Sequence, residues 1–302
     1  MDIFLTGATG YIGGSVAVRL IAEGHRVHGL VRSADAAEKV EAFGIVPVRG
    51  SLDDQHVLKA AAGEADAVIH AAHSDHEASA LALLEAVEGT GKRFLHTSGS
   101  SIVGTQAGGH LLEPIYDEST PFQPSPGRAA RVALNDRLLA KAGLGTHVVI
   151  LCPSLIYGLG RGAGKHSMQI PWLIETARRH GVAKHLGPGT NRWSNVHIGD
   201  LVDLFVLALE GAPAGSFYYA ENGETSMREL CEAIGKMLGH AEAPVEMSVD
   251  EAAVEWGEGP AINTMGSNSR VRALRARTEL GWKPSRRSAE DEILNGCYAG
   301  LA

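Results

Sequence analysis

The segment that most constrains this chain is Gly7-Ala-Thr-Gly10-Tyr-Ile-Gly13, which follows the apolar run Asp2-Ile-Phe-Leu5 and opens a helix-period stretch from Tyr11 to Ala22. Glycines spaced this way between a strand and a helix form a dinucleotide-binding turn. Gly7 permits the tight turn, Gly10 lets backbone approach a pyrophosphate, and Gly13 lets the helix pack closely. The helix N-terminus adds unpaired N–H groups and a dipole that favours negative charge. Thr9, Tyr11 and Ile12 belong to the same turn and count with it as cofactor-binding positions.

The alternation continues down the first half. Strands are expected at His25 to Val31, Ile45 to Val48, Ala67 to His70, Arg93 to His96 and Thr146 to Leu151. Helices are expected at Ala34 to Phe43, near 53–62 and 77–90, and from Arg128 to Ala142. Strands separated by helices pair in parallel, because parallel neighbours need long crossovers. The fold class is therefore α/β, with a doubly wound Rossmann-type sheet over 1–157. After Pro153 the rhythm loosens into a glycine-rich loop, Gly158 to Gly164, and helices near 165–181, 199–211, 226–239 and 269–279. Short strands are expected at Ser216 to Ala220 and Val245 to Met247. Residues 158–302 then form, in the main, a smaller α+β substrate lobe over the carboxyl ends of the sheet, with some chain crossing back.

The second strand ends Leu30-Val31-Arg32-Ser33. NAD-specific units carry an acidic residue here for the ribose, about twenty residues beyond the glycines. Arg32 is suited instead to a 2′-phosphate, assisted by the Ser33 hydroxyl, so NADP(H) is expected before NAD(H). A net charge of −8 argues against a nucleic-acid partner. The run Arg270, Arg272, Arg275 and Arg277 reads as one face of a solvated helix. Cys152, Cys231 and Cys297 are too few and too scattered for a disulfide framework or a metal knuckle. With no long apolar segment and no basic leader, the reading is a cytoplasmic protein without membrane attachment.

Four motifs occur in an order that carries a resemblance: Thr6-Gly-Ala-Thr-Gly-Tyr-Ile-Gly13, Val68-Ile-His-Ala-Ala72, Pro153-Ser-Leu-Ile-Tyr-Gly158 and Leu280-Gly-Trp-Lys-Pro284. In these the chain resembles the extended short-chain dehydrogenase/reductases, the NAD-dependent epimerase/dehydratase family, over nearly its whole length. Asn191-Arg-Trp-Ser-Asn-Val-His197 with Asp200 is more similar to an atypical branch of NADP-binding epimerases and reductases. The resemblance implies that Ser51 and Leu52 flank the adenine and that Ala71 and Ala72 line the pyrophosphate and ribose. It places Pro153 and Leu155 beside the nicotinamide, and pairs the helix from Arg128 to Ala142 across a homodimer interface.

The departures are as informative. The family places a Ser or Thr after the fifth strand and a Tyr-x-x-x-Lys pair on the next helix, the tyrosine acting as acid or base. Matched on the motifs, these positions fall on Gly99 and on Gly127-Arg-Ala-Ala-Arg131. Arg131 suits a ribose but is a poor proton shuttle. Ser98 and Ser100 remain able to hydrogen-bond a substrate oxygen, and Tyr116 and His73 are candidate proton donors; Tyr157 reads as structural. His70, His73 and His76 span a strand end and a loop, and are read as ordinary histidines without metal. Trp193 stands where the family's diphosphate-gripping arginine is expected, with Arg192 one residue away. That pattern favours a smaller or more apolar substrate than a sugar nucleotide.

The expected function is NADP(H)-dependent oxidoreduction at a carbonyl or hydroxyl carbon of an apolar or mid-sized molecule. Two rivals are an epimerase or dehydratase with an internally recycled cofactor, and an NADP(H)-sensing binding protein without turnover.

Overall fold

The computed structural model describes residues 1–143 and 145–301. Four βα units and a fifth strand build the first half: β1 (Asp2–Thr6), α1 (Tyr11–Ala22), β2 (Arg26–Val31), α2 (Ala34–Glu41), β3 (Val46–Arg49), α3 (Gln55–Glu64), β4 (Ala67–His70), α4 (Glu77–Val87) and β5 (Arg93–Thr97). A two-residue strand, β6 (Thr105–Gln106), then precedes α5 (Ala129–Leu139), β7 (His147–Pro153) and β8 (Leu155–Tyr157). The second half holds α6 (Gln169–His180), β9 (Lys184–Leu186), β10 (Arg192–His197), α7 (Ile198–Gly211), β11 (Ser216–Ala220), β12 (Glu224–Ser226), α8 (Met227–Met237), β13 (Val245–Met247), α9 (Val249–Trp256) and β14 (Ser267–Asn268). Short helices Leu274–Glu279 and Ala289–Asn295 follow.

The main sheet has seven strands in the order β11-β7-β5-β4-β1-β2-β3. Every neighbouring pair in it is parallel, as the βαβ alternation requires. Its central strands are apolar on both faces: Ile3, Phe4, Leu5, Val68, Ile69, Phe94 and Leu95 are fully buried. The order reverses direction between β1 and β4, which opens a crevice at their carboxyl ends.

Three expectations shift. Ser216 to Ala220 is no lobe strand but the seventh strand of the main sheet, paired with β7 from Ser216↔Val149 to Ala220↔Pro153. Conversely, β8 leaves the main sheet and pairs with β10 in the lobe's three-stranded sheet. The helix expected over 269–279 begins only at Leu274. Before it, backbone groups are spent on neighbours: Ser269 N donates to Arg192 O (3.0 Å), Tyr116 N to Arg270 O (2.9 Å) and Arg272 N to Tyr116 O (2.8 Å).

The arginine run is accordingly not a solvated helix face. Arg270 is 9% exposed, and its guanidinium meets Glu224 at 2.8 Å and the carbonyls of Leu112 and Glu113 at 3.1 Å. Arg277 meets Glu221 at 2.9 Å. Half-hidden carboxylates need cations, and these arginines supply them. Residues 267–273 thereby form a spine between the loop carrying Tyr116 and strand β10.

Candidate active site

The first turn of α1 begins at Gly10, which offers no side-chain cap. Its N-terminal N–H groups are left for a ligand. Gly7 adopts φ +83°, and a Cβ there would stand 2.7 Å from Ala71 O, so the turn lies backbone to backbone on the end of β4. A Cβ on Gly13 would meet Gly7 O at 2.4 Å, which is why helix and turn lie so close.

Around this turn lies an open cleft of about 480 Å³ lined by Gly7, Thr9, Gly10, Arg32, Ser33, Ser51, Leu52, Ala71, Ala72 and His73, among others. These residues come from four successive βα junctions, brought together at the carboxyl edge of the sheet. Arg32 is exposed at the end of β2. The Ser33 hydroxyl caps α2 by accepting Ala36 N at 3.1 Å, which leaves its own proton to donate. The cleft thus joins an uncapped helix N-terminus, close-packed glycine backbone and a cation at its rim. That donor set fits a dinucleotide bearing phosphate.

Tyr11, Ile12, Gly13, Pro153 and Leu155 do not line this cleft. The Tyr11 ring turns away, its hydroxyl donating to Gly158 O at 2.8 Å. Ile12 packs on the main core, and Leu155 is 2% exposed within the lobe core. Pro153 ends β7 against Ala220. The cleft also holds Asp53, which sequence did not single out, and His76, read there only as an ordinary histidine; the two face each other at 3.2 Å. His70 is committed elsewhere: its Nδ1 meets Thr6 Oγ1 at 2.6 Å and its Nε2 meets Ser79 Oγ at 3.2 Å. Burial, then the neighbouring imidazoles, holds its pKa well below the usual histidine value.

Beyond the cleft, toward β5 and α5, the candidate catalytic side chains have definite partners. Ser98 is buried and its Oγ accepts Asn135 Nδ2 at 2.9 Å. Ser100 turns into the spine, with its Oγ 2.8 Å from Ser269 Oγ. Tyr116 is half-buried with its ring edge-on to Phe122. Arg131 projects from the first turn of α5 into the β4–α4 loop. Its Nε and Nη2 meet Asp75 at 2.6 and 2.5 Å, and its Nη1 donates to Ser101 Oγ at 3.1 Å. That contact holds Asp75 below the usual carboxylate range. Nearby, burial pushes the Cys152 thiol up to about 12, so it is no thiolate.

In the lobe, Trp193 is 4% exposed and its indole N–H donates to Ser267 O at 3.0 Å. Arg192 pairs with Glu229 at 2.8 Å. Trp193 is thus a lobe-core side chain, and Arg192 is already neutralised.

Comparisons with known proteins agree with this architecture. The sequence profile described as "NAD dependent epimerase/dehydratase family" matches residues 3–218. An uncharacterized protein of Schizosaccharomyces pombe is 32% identical over 311 residues, covering 99% of this chain and 100% of the relative. A 2-alkyl-3-oxoalkanoate reductase of Stenotrophomonas maltophilia is 30% identical over 268 residues, covering 81% of this chain and 77% of the relative. Among solved structures, a dTDP-glucose 4,6-dehydratase of Bacillus anthracis in complex with NAD superposes with a TM-score of 0.77 at 18% identity. The match covers 98% of this chain and 96% of that one.

Proposed function

We propose, from the premise that this chain belongs to the NAD dependent epimerase/dehydratase family, that it is an NADP(H)-dependent reductase of ketones or aldehydes on apolar or mid-sized molecules. The single observation that carries the reading is Arg32 at the rim of the cleft, where the second strand supplies no carboxylate. A carboxylate there would accept from a ribose hydroxyl and repel a phosphate; a guanidinium does the reverse.

The α1 N-terminus with Gly7 and Gly10 would hold the pyrophosphate, Arg32 and Ser33 the 2′-phosphate, and Ser51 and Leu52 the adenine. Such a cofactor, when bound, supplies hydride chemistry. The protein's own residues fix the substrate oxygen at the ends of β5 and α5 and keep the reacting region under the lobe. The substrate class follows from the lobe: with Arg192 held by Glu229 and Trp193 in the core, no free cation of β10 stands ready for a diphosphate. The reductase relative acts on a 3-oxo compound, which supports carbonyl reduction here. We also place a homodimer contact on the outer faces of α4 and α5.

The test is NADPH and NADH turnover against a panel of neutral ketones, 3-oxo compounds and sugar nucleotides, with Arg32→Gln alongside. The expected result is net NADPH consumption on the neutral carbonyls. Arg32→Gln should weaken NADPH by about 10- to 100-fold, the worth of a charge-assisted contact, and leave NADH little changed. Product formation without net NADPH loss, or tight NADPH binding with no turnover on any carbonyl, overturns the reading.

A further inference from the structure

The neighbourhood of Arg131 is built more tightly than holding a ribose requires. Its side chain is 11% exposed. Bidentate contact with Asp75 and a third contact with Ser101 employ three of its five N–H donors, so two have no acceptor among the described residues. Gly99 explains where the guanidinium sits. A Cβ on Gly99 would stand 3.2 Å from Arg131 Nη1, tighter than an ordinary contact, so the missing side chain makes room for the arginine. Gly99 is extended, at φ −168° and ψ 140°, a conformation open to any residue. Local space, not backbone geometry, therefore favours glycine here.

The charge around this guanidinium is suited to an anion that forms during reaction. Burial and then the charge of Arg131 lower the pKa of Arg128, and both guanidiniums act on the Asp75 carboxylate. Two cations and one carboxylate leave a net positive cluster at the ends of β4 and β5. Asp75 lies in the loop from which Ala71, Ala72, His73 and His76 line the cofactor cleft. The ion pair thus fixes the arginine relative to that cleft.

We propose that Arg131 is the catalytic electrophile of this enzyme: its unspent Nη hydrogens, positioned by Asp75 and Ser101 in the space Gly99 leaves, hydrogen-bond the substrate carbonyl oxygen and stabilise the oxyanion. The inference rests on the carbonyl reduction proposed above. In that reaction the carbonyl carbon gains a hydride from the reduced nicotinamide nucleotide, which is left oxidised. The C=O π pair moves to oxygen, and that oxygen then takes a proton from water. Arginine never gives up its own proton, so no protein acid is consumed. Preorganised donors at a developing oxyanion are a large source of catalysis in a water-poor site. Asp75 is a positioning residue, since it acts through Arg131.

A reaction run this way has no protein acid titrating near neutrality. The ionisable groups facing Arg131 are Asp75 from the β4–α4 loop, His96 from β5, Cys152 from β7 and Arg128 before α5. Asp75 is held below the carboxylate range, His96 down to about 4 and Cys152 up to about 12, so none of these three titrates between pH 6 and 9. His73 meets this cluster through Asp75, whose backbone N–H donates to the His73 Nδ1 at 3.1 Å.

The experiment compares wild type, Arg131→Lys, Arg131→Gln, Asp75→Asn and Gly99→Ala by steady-state kinetics, by NADPH affinity from fluorescence, and by kcat/KM from pH 6 to 9. Wild type is expected to show a flat profile. Arg131→Gln should lose about 100-fold or more in kcat, the worth of an oxyanion donor, with NADPH affinity within about threefold of wild type. Arg131→Lys keeps the charge without the fork and falls between; retained NADPH binding shows that each variant is folded. Gly99→Ala, which crowds Nη1 without removing it, should lower kcat and not affinity.

Full turnover by Arg131→Gln, a loss confined to NADPH affinity, or a basic limb between pH 6 and 9 in wild type overturns this assignment and leaves the reductase reading standing. Absence of turnover in wild type overturns both.

Discussion

At the scale of single residues, the most consequential side chain outside the reaction itself is His96. It is fully buried on β5, and neither ring nitrogen has a partner among the described residues. Desolvation lowers its pKa from 6.5 to about 4, so the folded protein holds it neutral. The unfolded chain binds that proton near 6.5, so between about 6.5 and 4 it carries more protons than the folded one. Stability therefore falls as pH drops through this window and is fully present above it. The expected cost of moving from pH 7 to pH 5 is on the order of 2 kcal/mol from this group. Denaturant midpoints at the two pH values should show it, and His96→Leu should remove this group's share of the slope, leaving that of the buried His70; an unchanged slope refutes the burial argument. Little of this was legible in sequence, where His96 reads only as part of a strand. A strand assignment says which residues alternate, not whether an imidazole finds a donor. Arg131 was legible only as a substituted position: the role of Gly99 appears when the guanidinium is seen filling its space.

At the scale of elements, the glycine-rich loop after β8 lies against the outside of α1. A Cβ on Gly162 would meet Gly14 Cα at 2.6 Å, and one on Gly164 would meet Gly10 C and Tyr11 N at 2.6 Å. Arg161 N reaches Ser15 Oγ at 3.0 Å, closing the same seam. The lobe is thus anchored on the helix turn that faces the cofactor cleft. Gly164→Ala should overpack this seam and cost about 1–3 kcal/mol, lowering the melting temperature and weakening NADPH. Gly63→Ala on α3, where a Cβ meets nothing within 4 Å, is the control and should be neutral or slightly stabilising. Equal effects of the two substitutions would refute the seam. Sequence marked this stretch as a loop but not its partner, because glycine spacing records flexibility and not what lies opposite.

At the scale of the molecule, α5 presents the surface expected to pair two copies, and we propose that α4 beside it joins that surface. Their outer faces carry Ala78, Ala129, Ala130, Ala133 and Ala140, all exposed, and the two helices are tied by Arg137–Glu77 and Lys141–Glu88. Ala133→Arg should convert a dimer into a monomer in analytical ultracentrifugation with little loss of fold. A wild-type monomer at working concentration would remove the dimer. The doubly wound sheet was readable from the first hundred and fifty residues because each strand and helix announces its own period. The destination of later segments was not. β11 joins the main sheet, and β8, not read as a strand, joins the lobe's, because short apolar strands do not encode their neighbours and long-range pairing decides them.

The spine 267–273 has a consequence for the order in which the protein comes into being. Ser269 and Val271 engage Ser100 and Ser194, and Glu118 caps the amides of Leu274 and Arg275 at 3.2 and 3.3 Å. A chain emerging from a ribosome completes its seven-stranded sheet once Ala220 is out, some fifty residues before the spine is made. For that interval a nascent nucleotide cleft precedes the support of the substrate side. Synthesis thus supplies the cofactor's seat first and the reaction chamber last.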